Sequence, residues 1–153
     1  MLTIFWDANG VLLTHYTNKG STLKGKDYAE LIEELKEAIK EKRRGMWTRG
    51  PILLHDNCRV HKNALVQAAI KQCKLEELPH PAYSPDLAPS DFYLFPNLKK
   101  DKRGRQFNSN EELKVWAENW LQNQPESWYL EAFQKLRERY EKCIRLDGEY
   151  VEK

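Results

Sequence analysis

Apolar and polar residues alternate and cluster along this chain in the patterns of short strands and amphipathic helices. Residues 2–6 and 11–16 are β-prone runs joined by Asp7-Ala8-Asn9-Gly10, and Asn-Gly between apolar runs signals a hairpin. Over residues 26–44, Tyr28, Leu31, Ile32, Leu35 and Ile39 recur at the spacing of one buried helix face. The stretch 45–50 breaks that helix. Pro51-Ile52-Leu53-Leu54 then reads as a buried strand over 52–55. A second helix is predicted over 62–74, with Leu65, Ala68, Ala69 and Ile70 facing inward, and a brief strand over 76–78. Pro79, Pro81, Pro85 and Pro89 forbid regular structure beyond it, because proline lacks the amide donor. A proline-stiffened loop loses less entropy in holding one shape. Ser109-Asn110-Glu111-Glu112 is a capping-box pattern. It opens a helix with Leu113, Trp116, Ala117, Trp120 and Leu121 on one face. Pro125 interrupts, and Ser127 is expected to cap a last helix with the stripe Tyr129, Phe133, Leu136, Tyr140 and Ile144. Asp147-Gly148 stops it.

Composition narrows the class. A chain of 153 residues can bury a sizeable core, so residues 1–153 are read as one domain. With 41% hydrophobic and 31% charged residues it is globular, not disordered. The net charge of +2 does not decide for or against nucleic acid, since binding depends on local basic stripes. No apolar run approaches the ~20 residues of a membrane span. The opening Met1-Leu2-Thr3-Ile4-Phe5-Trp6 lacks a basic leader, so no signal peptide is expected. Cys58, Cys73 and Cys143 are odd in number and widely spaced, as in an intracellular protein with reduced thiols.

Two carboxylates carry the chemistry. Asp56 sits at the polar end of the 52–55 strand, in Leu53-Leu54-His55-Asp56-Asn57. Asp91 opens a segment that reads as a helix start, in Pro89-Ser90-Asp91-Phe92-Tyr93. Thirty-four residues separate them. A strand end and a helix start can bring acidic side chains together, and Mg²⁺ takes one or two carboxylates plus substrate phosphates. Singly, Asp56 reads as a turn cap and Asp91 as a favourable charge at a helix N-terminus. His55, His61 and His80 fit no zinc spacing and read as hydrogen-bonded loop histidines. Arg59 is placed either to meet a phosphate or to pair with a carboxylate. Lys99, Lys100, Lys102, Arg103 and Arg105 put five positive charges in seven residues. That run is either a solvated helix end or a contact to DNA phosphates, which is salt-dependent and sequence-independent. Lys40 to Arg44 is the charged C-terminus of its helix. Trp116, Trp120 and Trp128 fall on helical stripes and read as packing aromatics.

The blocks His55-Asp56-Asn57-Cys58-Arg59-Val60-His61 and Tyr83-Ser84-Pro85-Asp86-Leu87-Ala88-Pro89-Ser90-Asp91, with the gap between them, resemble the catalytic domain of mariner-family DNA transposases. The likeness extends from Leu2-Thr3-Ile4-Phe5-Trp6-Asp7 to Arg139-Tyr140-Glu141-Lys142-Cys143-Ile144-Arg145-Leu146-Asp147-Gly148. It implies an α/β, RNase H-like (retroviral integrase-like) fold with C-terminal helices. It also implies Mg²⁺- or Mn²⁺-dependent strand cleavage and transfer, a nuclear location, and Asp56 and Asp91 as the second and third of three metal carboxylates. The family's first catalytic Asp, in a Gly-Asp-Glu-Lys-Trp-like block, has no counterpart here, and Asp7 matches a position on the next strand. The chain is therefore expected to lack the first strand and the preceding helix-turn-helix modules, and to be inactive alone. Weak non-specific DNA binding is expected. So are a loosely or abnormally placed N-terminal hairpin and self-association through exposed sheet edges. The rival reading is a non-catalytic DNA-binding or protein-interaction module.

Overall fold

The N-terminal hairpin turns at Ala8 and Asn9, between β1 (Leu2–Asp7) and β2 (Gly10–Tyr16). Gly10 is the first residue of β2 and takes φ 131°, which is open to glycine and strained for other residues. Inside the turn, Asp7 Oδ1 accepts from the Asn9 amide at 2.9 Å. The structure, a computed structural model, describes residues 1–18, 20–81 and 83–146, so the predicted stop at Asp147-Gly148 lies outside it. The chain forms two compact units, residues 1–6 with 12–83 and residues 7–11 with 84 onward.

In the first unit, α1 (Gly25–Lys42) buries all five residues of its predicted stripe. The expected break after it is instead a second short helix, α2 (Arg44–Arg49), which ends at Gly50 with φ 90°. The charges at the end of α1 are tied down. Lys42 Nζ donates to the Leu12 carbonyl at 3.0 Å, and the Lys40 ammonium lies 5.0 Å from the centre of the Trp47 ring.

Strand β3 (Ile52–Leu53) pairs in parallel with β4 (Glu76–Glu77), Ile52 opposite Glu76 and Leu53 opposite Glu77. Both are shorter than predicted. Ile52 is 61% exposed and Leu53 buried, because successive strand residues face opposite sides. Helix α3 (Ala64–Gln72) connects them, capped by Asn63 Oδ1, which accepts from the Leu65 amide at 2.8 Å. Its buried face is Val66, Ala69, Ile70 and Cys73, and the predicted Leu65 and Ala68 are exposed. Positions 66, 69, 70 and 73 complete an i, i+3, i+4, i+7 stripe, and 65 and 68 lie off it.

One core joins these elements: Phe5 and Leu12 of the hairpin, the α1 stripe, Leu53, Val66, Ala69, Ile70, Cys73 and Leu75. Among the described residues the hairpin forms a two-stranded sheet separate from β3–β4. Phe5 and Leu12 are nonetheless only 8% and 5% exposed. The hairpin thus packs onto this core through its side chains, apart from the β3–β4 ladder.

In the second unit, Pro85 starts a 3-10 turn, Pro85–Leu87, against the expectation of no regular structure there. Proline is tolerated in a first turn, where its missing amide would have no partner. A π-helical turn, Ser90–Leu94, runs into α4 (Phe95–Lys102). Its i to i−5 bond runs from the Phe95 amide to the Ser90 carbonyl, and Pro96 sits in the first turn of α4, where its missing amide is tolerated. Helix α5 (Asn110–Asn123) is capped by Ser109 Oγ, which accepts from the Glu112 amide at 3.1 Å. Helix α6 (Glu126–Arg145) starts directly after Pro125, so Ser127 lies inside its first turn and is not its cap.

The interior of this unit includes Leu87, Leu94, Leu98, Ala117, Trp120, Leu121, Tyr129, Ala132 and Leu136. Ile144, expected on the buried stripe of α6, is 75% exposed, because the helix runs on past the residues that pack it. Trp120 and Trp128 meet edge to face at 5.5 Å, as packing aromatics do. Cys58, Cys73 and Cys143 are free thiols. Among the described residues no helix is long and apolar enough to cross a membrane.

Candidate functional site

Just past β3 the first unit brings together three polar rings, Tyr28, His55 and His61, and two acids, Asp56 and Glu77. The Tyr28 hydroxyl lies 3.0 Å from His55 Nδ1, and His55 Nε2 lies 2.8 Å from Glu77 Oε2. A carboxylate only accepts, so Nε2 carries the proton and Nδ1 accepts from Tyr28. Burial lowers the His55 pKa, outweighing the Glu77 hydrogen bond that raises it. His55 and Glu77 therefore share a hydrogen bond between a neutral ring and a carboxylate at pH 7, although their separation meets the salt-bridge distance. Burial, then the charges of Asp56 and Glu77, holds the Tyr28 phenol above its ordinary range.

The His61 ring stacks on His55 at 4.2 Å with 7° between planes, and lies 4.4 Å from Tyr28. His61 Nδ1 is 3.0 Å from Asp56 Oδ1 and 3.0 Å from the Asp56 carbonyl. The same Oδ1 accepts from the Cys58 amide at 3.1 Å, so the turn-cap role of Asp56 is present. The side chain of Asp56 is 56% exposed. It faces a cleft of about 290 Å³ lined also by His55, His61, Lys62, Glu77 and His80. Asn57 Nδ2 closes the far wall by donating to the His80 carbonyl at 2.6 Å. Arg59 opens the 3-10 turn Arg59–Lys62 and is exposed.

In the second unit Asp91 is the second residue of the π-helical turn, exposed, its amide donating to the Ala88 carbonyl at 2.8 Å. Helix α6 grips the flanking residues. The Tyr93 hydroxyl is 2.9 Å from the Trp128 carbonyl and 3.2 Å from Glu131 Oε2. Burial and the Glu131 charge push its pKa up to about 12. Lys99, Lys100, Lys102, Arg103 and Arg105 are all exposed around the end of α4. Asp101, the one acid among them, accepts from Trp120 Nε1 at 2.8 Å. Arg105 lies 5.6 Å from the centre of the Trp116 ring, and its Nε donates to the Asp101 carbonyl.

Asp56 and Arg59 thus belong to the first unit, and Asp91 and the basic run to the second. Tyr28 and Glu77, which hold His55 from both sides, are neighbours of Asp56 that sequence reasoning misses. Periodicity places Tyr28 on the core stripe, and nothing local marks Glu77. Among the described residues no three His, Cys, Asp or Glu side chains come together as a metal cage. Asp56 suits a single hard ion that completes its shell with water and phosphate oxygens, and not a two-ion clamp.

Comparison with known proteins places this arrangement. The family described as transposase (partial DDE domain) matches residues 1–49. The mariner Mos1 transposase of Drosophila mauritiana is 36% identical over 99% of this chain. The human histone-lysine N-methyltransferase SETMAR is 31% identical, also over 99%. The chain spans 45% of the length of the first and 22% of the second. Solved structures of the Mos1 catalytic domain with raltegravir and Mg or Mn superpose with a TM-score of 0.93 at 35% identity, covering 99% of this chain and 76% of theirs. With that identity along a shared RNase H-like fold, the chain belongs to the mariner family of DNA transposases, within the catalytic domain.

Proposed function

We propose that this region serves metal-dependent DNA strand cleavage and strand transfer, with water or a 3′-hydroxyl as nucleophile. Asp56 and Asp91 are the carboxylates assigned to Mg²⁺ or Mn²⁺. The observation that carries the reading is the 35% identity to a catalytic domain solved with either metal. A bound ion supplies charge at the reacting phosphate and a more acidic water. The chain's own residues bind and orient. Asp56 offers a carboxylate oxygen at the rim of its cleft. Arg59, exposed three residues on, is placed for a phosphate. The run from Lys99 to Arg105 follows the DNA backbone weakly and without sequence preference. Work on chromosomal DNA puts the protein in the nucleus. Copies associate through the strand edge at exposed Ile52.

Two carboxylates do not build a two-ion clamp, so residues 1–153 alone hold one ion weakly and do not cut DNA at an appreciable rate. The test is Mn²⁺ binding followed by the electron paramagnetic resonance of the free ion. Asp56→Asn and Asp91→Asn should each weaken retention. Unchanged binding in Asp56→Asn counts against the assignment. Nicking of supercoiled plasmid by the 153-residue chain, abolished by Asp56→Asn, would overturn the one-ion reading.

A further inference from the structure

We infer that His61 is the positioning residue for Asp56: it holds Oδ1 and leaves Oδ2 as a single-oxygen ligand for the ion. The inference rests on Asp56 being a metal ligand. His61 Nδ1 faces two acceptors, the Asp56 carbonyl and Oδ1, both at 3.0 Å. A carbonyl cannot donate, so Nδ1 carries a proton and serves as the donor. The Cys58 amide approaches the same oxygen at 3.1 Å, so both donors converge on Oδ1. Both contacts act from the protein side of an otherwise exposed carboxylate.

The donor is itself held in place. His61 lies flat on His55 at 4.2 Å. His55 is pinned at both nitrogens, by Tyr28 from α1 and by Glu77 from β4. The Gln67 side-chain amide of α3 donates to the His61 carbonyl at 2.6 Å. The His61 ring thus rests on a ring held by two elements of the core, and its backbone is held by a third. A freely rotating carboxylate pays rotamer entropy on binding an ion, and a carboxylate fixed by hydrogen bonds does not. Hydrogen-bond partners of metal ligands typically change metal affinity about 10–100-fold when replaced.

Two amide substitutions separate this role from a bland one. His61→Asn puts an amide donor at the Nδ1 position, and His61→Gln puts it at the Nε2 position. Mn²⁺ binding to the full chain is read by electron paramagnetic resonance, with circular dichroism and melting temperature as the folding control. His61→Gln is expected to bind Mn²⁺ about 10–100-fold more weakly. His61→Asn is expected to stay close to the unaltered chain. Equal affinity in both variants overturns the inference, whether both keep the ion or both lose it. Asp56→Asn separates the two failures. If it binds Mn²⁺ normally, Asp56 is not a ligand and both readings fall. If it loses the ion while His61→Gln keeps it, only the role of His61 falls. Absence of Mn²⁺ binding by the unaltered chain overturns both.

Discussion

The Arg139 guanidinium lies 4.2 Å from the centre of the Phe92 ring, and its Nη1 donates to the Asp86 carbonyl at 3.2 Å. One side chain of α6 thus grips the Asp91 loop on both sides. Arg139→Ala removes the cation–π contact and a charge-assisted hydrogen bond, a loss of about 1–2 kcal/mol in the second unit. Hydrogen exchange should quicken at the amides of Phe92, Tyr93 and Leu94 while α5 is unchanged. Arg139→Lys keeps the charge without the planar fork and should restore only part of the protection. Unaltered exchange around Phe92 in Arg139→Ala would refute the clamp.

Lys74 follows α3 with φ 58°, in the left-handed region. A residue with a Cβ is strained there, and glycine is not. Lys74→Gly should therefore stabilise the first unit by about 0.5–1 kcal/mol, net of the entropy glycine adds to the unfolded chain. The same change at exposed Ala68, mid-helix in α3, should cost about 1 kcal/mol. Urea denaturation of the two variants gives shifts of opposite sign if the strain is real. Destabilisation by both would show that Lys74 is relaxed.

The stripe of α1 is legible in the sequence because five large apolar residues repeat without competition at helical spacing, and all five are buried. The face of α3 is not, because small and apolar residues surround its axis. Leu65 and Val66 are adjacent and equally apolar, and only packing against α1 decides that Val66 turns inward. The prolines of the Asp91 approach read as breakers, yet Pro85 starts a 3-10 turn. Proline's effect depends on whether an amide is needed at that position, which tertiary context settles. The blocks around Asp56 and Asp91 carry the family likeness along the chain. The Tyr28–His55–Glu77 relay is not legible, since its members lie on α1, the loop after β3, and β4. Contacts between residues 22 or more positions apart leave no local pattern.

The exposed lysines at the end of α4 give a salt-dependent prediction. Each phosphate neutralised by a cation releases a counterion, so the logarithm of affinity falls linearly with the logarithm of salt. Replacing Lys99, Lys100 and Lys102 with glutamine should weaken duplex binding. It should also reduce that slope by about 1 for each phosphate that no longer meets a lysine. Arg105→Gln should do less, because its guanidinium is already engaged with Trp116 and the Asp101 carbonyl. Fluorescence anisotropy over a salt series checks both. A slope unchanged in the triple variant would move the DNA surface elsewhere.

Tyr129 gives a prediction at alkaline pH. Its ring is 2% exposed, and its hydroxyl donates to the Leu121 carbonyl near the end of α5. Burial pushes its pKa up from 10.0 to about 12. Below pH 10 the phenol is protonated in both folded and unfolded chains, and pH has no effect through this group. Above pH 10 the unfolded chain releases the proton and the folded chain keeps it. The folded state then binds more protons, so stability falls as pH rises from 10 towards 12. Tyr93, also raised to about 12, adds to the same slope. Tyr129→Phe cannot ionise, so its stability should decline less steeply across that window. At neutral pH the variant should lose about 1 kcal/mol, the worth of the hydrogen bond to Leu121. Urea unfolding from neutral to alkaline pH measures both quantities. An alkaline decline in Tyr129→Phe as steep as in the unaltered chain would show that this phenol ionises alike in both states, and that its burial does not hold the proton.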